Sequence, residues 1–295
     1  MSEESKYIEP GFHFILLICV LVTVLTTCVV IFVLGKESLD FFRQVPILDF
    51  LFGTKWEPLL EPKSFGVLPL VAGTTLIVIG SISLSVPVGL LIATYLNQFS
   101  SRQMRSLIKP ALEILAGIPT VVYGFFALTF VTPLIKKVFP EIQVFNALSA
   151  SIVVGIMILP MVSSLCDDAF RSVSSSLKEG AYALGATPYE VMTQIVLPAS
   201  KSRVGASVIL AISRAIGETM AVTLAAGATP HFSLNPFESI QTMTAYIVQV
   251  SLGDTPAGGI EYQTCFAVAS LLFLMTLVMN LIGSYLISYK RKRKV

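Results

Sequence analysis

The sequence is poor in charge. Asp, Glu, Lys and Arg make up 13% of its 295 residues, while 54% are hydrophobic. A soluble domain carries about a quarter charged residues, and a chain of this length cannot hide so much apolar surface behind its own polar shell. A bilayer solvent removes the conflict, because there the outward face is free to be apolar. Catalytic signatures are missing as well. Without a GxxxxGK[ST] phosphate loop, ATP hydrolysis by that route is excluded. Without HExxH, a serine elbow or a carboxylate cluster, an enzyme reading has no chemistry to stand on. The four cysteines, Cys19, Cys28, Cys166 and Cys265, form no CxxC pair and are expected as buried free thiols in or beside apolar runs. The two histidines, His13 and His231, lie far apart and make no ligand set. A net charge of only +2 points to no acidic partner and no nucleic acid.

What is present is hydrophobic length. Six stretches reach the roughly 20 residues a helix needs to cross a bilayer: 12–34, 67–96, 111–134, 147–165, 204–228 and 264–289. The fold class expected is all-α, a polytopic membrane protein with six transmembrane helices. The first run is too long, and too acidic at its start, for a cleaved signal, so it is expected to stay as a span. With the N-terminus inside, thirteen Lys and Arg fall on inner segments and six on outer ones, with Arg214 inside a span. That asymmetry predicts both termini in the cytoplasm and 236–260 outside. The outer stretch 37–52 is too short and charged to span, so an interfacial amphipathic helix is expected, with Trp56 as an interface anchor. Three regions follow: 1–66 as first span plus outer segment, 67–289 as core with an inner loop at 171–200, and 290–295 as a basic tail.

The inner loop is the most informative segment. Residues 174–198 read SSSLKEGAYALGATPYEVMTQIVLP. A helix is expected up to Leu184, stopped at Gly185. Thr187 then caps a new helix, Pro188 suits its first position, and Glu190 closes a capping box. Two short surface helices broken at a glycine result, and Gly180, Ala181 and Ala183 leave room for another protein to approach. An ordinary interfacial loop is the plainer alternative.

The order Glu179, Gly180, Ala181, then Gly185, then Ile195, Leu197 and Pro198 resembles the EAA signature of ABC importer permeases. Every spacing matches, and the single departure is Gly180 in place of alanine. The resemblance implies the type I ABC importer permease fold (MetI-like), with this loop docked on a separate ATPase. Over most of the chain a narrower resemblance holds. Leu115 to Leu128, LAGIPTVVYGFFAL, is similar to the third-span motif of phosphate-importer permeases, and Ser213 to Val222, SRAIGETMAV, to their fifth-span motif. The methionine after GET, the outer stretch from Met243 to Pro256, and Trp56-Glu57-Pro58 followed by Phe65-Gly66 resemble the PstC type more than its PstA-type partner. The resemblance implies a PstA-type second permease, a PstB-type ATPase dimer, a PstS-type external phosphate-binding protein, phosphate as substrate, and a prokaryotic inner membrane as location. No cofactor is expected on this chain, because the partner binds ATP.

Two groups of residues are candidates for the substrate pathway. Arg214 and Glu218 fall deep in the fifth span, where charge is costly and marks function by default. At i and i+4 they share a helix face. Arginine also suits a tetrahedral oxyanion, because its planar fork donates paired hydrogen bonds. Anion contact, gating and a purely structural ion pair all remain open for them, with Ser213 alongside. In the third span, Gly117 and Pro119 predict a break, next to the hydroxyls of Thr120 and Tyr123. A pathway and a helix crossing on small residues both fit that break. Glu113, near the inner end, caps or faces solvent. Two other functions stay in view: a permease for another oxyanion such as sulfate or molybdate, and a membrane sensor or scaffold that transports nothing.

Overall fold

The computed structural model describes residues 3–253, 255–256 and 258–291. Residues 292–295 of the expected basic tail, and Asp254 of the expected outer stretch, lie outside the described residues.

The chain folds as helices in the order α1 (Glu3–Phe42), α2 (Ile47–Phe52), α3 (Leu68–Phe99), α4 (Arg102–Gly117), α5 (Thr120–Lys136), α6 (Ala147–Arg171), α7 (Ser175–Ala183), α8 (Pro188–Ile216), α9 (Met220–Ala226), α10 (Met243–Leu252) and α11 (Ile260–Arg291). A two-stranded ribbon, Trp56–Glu57 against Ser64–Phe65, lies between α2 and α3. Among the described residues, five helices are long and apolar enough to cross a membrane, and six if α4 and α5 count as one bent span.

Small residues set the centre of the bundle. A Cβ on Gly80 of α3 would come 2.5 Å from the Ser151 hydroxyl of α6, and one on Gly155 of α6 would come 3.1 Å from the Ser81 carbonyl of α3. The two backbones therefore approach where no side chain intervenes, the usual way membrane helices gain van der Waals contact without a hydrophobic drive. In α6 61% of the span is buried, against none in α1. At 40 residues α1 is about 60 Å long, roughly twice the hydrocarbon thickness. Its middle faces outward throughout, which leaves Cys19 and Cys28 exposed; only Cys166 and Cys265 are the buried thiols expected. Near its far end Ser38 hydrogen-bonds Ser270 and the Phe266 carbonyl of α11.

The segment expected as an interfacial amphipathic helix is instead the end of α1, a turn, and α2. Its rings fold inward. Phe41, Phe50, Trp56 and Tyr246 meet edge-on, with Trp56 and Tyr246 at 4.9 Å and 87°, a geometry set by the ring quadrupoles. Trp56 is 1% exposed, so it packs in the protein and is not a lipid anchor. Lys63 ties this cap to α11 through Glu261 at 2.6 Å. That hydrogen bond holds the Lys63 ammonium above its usual pKa. The stretch expected to run outside re-enters the protein: Ile240 through Tyr246 is buried, with Met243 N–H donating to Thr74 at 3.1 Å.

Trp56 is the sole tryptophan, so its placement can be read by fluorescence. In bilayers of brominated lipid its emission should stay blue-shifted and unquenched. Strong quenching, as an interface anchor gives, would overturn the buried placement.

Candidate functional site

Gly185 ends α7 with φ +86°, a left-handed conformation that costs a side-chain-bearing residue about 1–2 kcal/mol. The amides of Gly185 and Ala186 turn back onto the carbonyls of Tyr182 and Ala181 at 2.9 and 3.1 Å, satisfying carbonyls the helix end would otherwise leave open. The capping box forms as the sequence predicts. The Glu190 amide donates to the Thr187 hydroxyl, and the Thr187 amide to the Glu190 carboxylate at 2.8 Å.

The second short helix does not stop there. Residues 188–216 form one helix, α8, that runs through Pro198 into the membrane. A π turn at Val191–Val196 precedes the proline, and its wider hydrogen-bond spacing accommodates a residue without an N–H. The expectation of two surface helices followed by a separate span is thus corrected: the turn at Gly185 is the start of the fifth span.

The loop residues divide by face. Ala181 packs inward with Val191, Met192 and Phe170, and Ile195 lies against the same cluster. Glu179, Leu197 and Pro198 are exposed, as are Leu177, Tyr182, Tyr189 and Leu184, the last at 91%. A Cβ on Gly180 would meet nothing within 4 Å. The chain itself therefore does not need a glycine there. Gln98 at the end of α3 donates to the Tyr182 hydroxyl, and Lys178 donates to the Phe170 carbonyl at 3.2 Å, so α7 is pinned to the bundle.

At its other end α8 stops at Ile216. Gly217, Glu218 and Thr219 form a break before α9. The fifth span is therefore broken, and Arg214 and Glu218 are not on one continuous helix. Their side chains still meet, with Arg214 Nη2 3.9 Å from Glu218 Oε2. Their surroundings differ sharply: Glu218 is 4% exposed and Arg214 51%. The Glu218 carboxylate accepts the Ala221 amide at 3.4 Å, at the start of α9, and its carbonyl accepts Thr244 of α10 at 2.8 Å. Ser213 Oγ is buried without a hydrogen-bond partner among the described residues.

The break in the third span is present and larger than a kink. Ile118 is extended ahead of Pro119, as a residue before proline prefers, and α4 meets α5 at 89°. The third span is therefore a bent pair, Arg102–Gly117 with Thr120–Lys136, rather than one run from 111 to 134. The Tyr123 hydroxyl donates to the Leu115 carbonyl at 2.7 Å, clamping the bend from within the core. Gly124 lets α5 touch α9, since a Cβ there would lie 2.9 Å from Leu224 Cβ and 3.1 Å from Ala221 Cα. The third- and fifth-span motifs are thus packed on each other, with Leu115, Tyr123, Ala215 and Ala221 in one cluster.

One feature lay outside the sequence reading. Asp167, buried near the end of α6, is met by Arg105 at 2.8 Å, Arg171 at 3.1 Å and Lys109 at 3.8 Å. Asn97 of α3 donates to its other oxygen at 3.3 Å. The signal was there in the paired i, i+4 spacings of Arg105 with Lys109 and Asp167 with Arg171, but ending the fourth span at 165 put Asp167 in a loop.

A predominantly helical bundle with two broken spans and a capped turn leading directly into one of them defines the class, a polytopic membrane protein. The chain belongs to the family described as binding-protein-dependent transport system inner membrane component, matched over residues 85–293. It is a multi-pass inner-membrane permease subunit of an ABC importer with the type I, MetI-like fold. It is 31% identical over 275 residues to a probable ABC transporter permease protein, YqgH, of Bacillus subtilis, covering 92% of this chain and 89% of that one. It is 33% identical to a phosphate transport system permease protein, PstC, of Mesorhizobium japonicum, covering 81% and 78%. Among solved structures it resembles a bacterial alginate ABC transporter chain, with a TM-score of 0.64 over 92% of both chains at 17% identity. A chain of the inward-facing MetNI methionine transporter aligns with a TM-score of 0.57 over 76% of this chain and 94% of that one, at 14% identity.

The role of Glu218 as an acceptor at the start of α9 is testable by stability. Glu218→Gln keeps an oxygen for the Ala221 amide and should leave the thermal midpoint of the purified protein near wild type. Glu218→Ala removes it and should cost about 1–3 kcal/mol. Equal midpoints for the two variants would show that the acceptor is not needed.

Proposed function

We propose that this chain is the PstC-type permease subunit of an ATP-driven phosphate importer. It would work with a PstA-type second permease, a PstB-type ATPase dimer and a PstS-type external binding protein. One observation carries the reading: the Gly185 turn and Arg214 lie at the two ends of one helix, α8. A partner that moves the turn moves the arginine. Relatives named as phosphate transport permeases, at 33% identity and 81% coverage of this chain in one case, support phosphate as the substrate. The basic asymmetry of the sequence supports a cytoplasmic Gly185 turn and cytoplasmic termini.

In this reading ATP binding closes the ATPase dimer, and the segment from Glu179 to Pro198 follows it. The two permeases then rock about a central pathway. Gly180, with open space beside it, and the exposed Leu177, Leu184 and Tyr189 meet the ATPase. Arg214 meets the anion. Half exposed, it has donors to spare, while Glu218 is also held by backbone and by Thr244. Ser213 and Thr120 stand on the same packed pair of motifs.

Gly180→Trp tests the docking face. The open space beside Gly180 lets the protein fold and insert normally, yet the indole should block the partner, so stimulated ATP hydrolysis in the assembled complex should fall at least tenfold, a loss of about 1.4 kcal/mol of coupling. Normal stimulation would remove this face from the interface.

Arg214→Gln should severely lower uptake of radiolabelled phosphate in a deletion strain supplied with the partner genes, with the complex still assembled. If Arg214 only neutralises Glu218, adding Glu218→Gln should restore transport. The double variant is expected to stay inactive. Full uptake by it would leave Arg214 a structural partner, and uptake of sulfate or molybdate in place of phosphate by the wild type would overturn the substrate.

A further inference from the structure

The cations around Asp167 outnumber what it can use. Arg105, Arg171 and Lys109 all converge on one oxygen, Oδ2, while Oδ1 takes Asn97. Two guanidinium groups and an ammonium carry many more donors than one carboxylate oxygen accepts. Lys109 at 3.8 Å lies beyond hydrogen-bond reach of it, and all three cations remain partly exposed. Glu113, on the same face of α4, reduces the surplus without cancelling it.

Beside this cluster a cavity of 340 Å³ opens between α4 and α6. Lys109, Glu113, Ser164 and Asp167 belong to its wall, and the rest is mainly apolar: Leu96, Leu112, Ala116, Pro160, Met161 and Leu165. Helix α4 has no buried residue. It turns Arg105 and Lys109 toward Asp167 and leaves Met104, Leu107 and Ile114 exposed on its other side. Because α4 lies at 89° to α5, it runs along the membrane surface when α5 runs through the membrane. Cations and an apolar stripe on a helix lying in that plane suit the lipid boundary.

We propose that the cleft between α4 and α6 binds an anionic phospholipid of the adjacent leaflet. The phosphate sits on Arg105, Lys109 and Arg171, and an acyl chain enters the cavity. A free phosphate ion would use the same cations but would leave the apolar wall empty. The cleft lies at the Gly185 end of the bundle: Asp167 and Arg171 are in the last turns of α6, and α7 is pinned to Phe170. A lipid there would fix the platform from which the turn projects. The inference does not depend on which anion the importer carries.

The test is native mass spectrometry of the full chain in mild detergent, with phosphatidylglycerol and phosphatidylcholine of identical acyl chains as probes. Wild type should retain phosphatidylglycerol preferentially. Lys109→Gln, which leaves both arginines on Asp167, should lower that retention about fivefold, the worth of one cation near anionic lipid, and leave phosphatidylcholine unchanged. Leu112→Trp fills the cavity with every cation in place and should lower retention as well. Each variant is checked for wild-type helicity and elution. Equal retention of the two lipids by wild type would overturn the site, and retention unchanged in Leu112→Trp would overturn the acyl-chain placement. Displacement of phosphatidylglycerol by inorganic phosphate at the same concentration would assign the cluster to a free oxyanion instead.

Discussion

The geometry of the candidate site depends on the course of α8, which joins the Gly185 turn to Arg214. The helix begins at a cap, Thr187 with Glu190, that follows a left-handed glycine, and it ends at Ile216 before a glycine break. Between those points it runs as one span, with a π turn at Val191–Val196 leading into Pro198, which has no N–H to donate. A helix resists bending where its ladder is intact and yields where it is broken. In the proposed function, motion imposed at the Gly185 turn would reach Arg214 along this one helix. Outside the turn stand Leu184 and an open-sided Gly180, and just before the far break stands a half-exposed arginine.

The two breaks cooperate. Helix α9 begins at the break in the fifth span and packs through Ala221 and Leu224 on Gly124 of α5, which begins at the break in the third. Tyr123 ties α5 back across its bend to Leu115, and Thr244 ties α10 to the Glu218 carbonyl. Backbone freed from helical hydrogen bonds inside a membrane has to find other partners or line a wet cavity. Here much of it finds partners, so the breaks are held in place. What stays open near them is side-chain capacity: the Arg214 guanidinium, and the Ser213 hydroxyl with no partner among the described residues.

Local chemistry was legible in the sequence and long-range packing was not. Gly185, Thr187, Pro188 and Glu190 act within a few residues of one another, so their turn and capping box could be written down from spacing alone. The span count came from hydropathy in the same way. The errors share a cause. The fifth span read as beginning at 204 because nothing local announces that a π turn carries the helix through Pro198. Trp56 read as an interface residue because its partner, Tyr246, is far along the chain. Arg214 and Glu218 read as one helical face because a glycine within an apolar run is usually tolerated, and the acceptor role of Glu218 depends on the start of α9. Asp167 needed Arg105, an α4 residue, to become visible.

Asp167 and Glu218, the two buried carboxylates among the described residues, show how so few charges are used. Removing a charge from water costs several kcal/mol unless partners replace the solvent, and the chain meets that cost in opposite ways. Asp167 is surrounded: three cations and an amide more than satisfy it, and one of them, Lys109, lines the α4–α6 cleft. Glu218 has one cation at 3.9 Å and leans on a backbone amide as well. The first arrangement is over-determined and suits a fixed support, since no single rearrangement frees the carboxylate. The second is under-determined. Its arginine is loosely held and can trade a weak ion pair for a stronger bidentate contact with an oxyanion while the amide keeps the glutamate in place. A transport pathway needs a site that binds without trapping, and the proposed role of Arg214 would meet that need, because an incoming anion would have to displace Glu218 and could in turn be displaced by it.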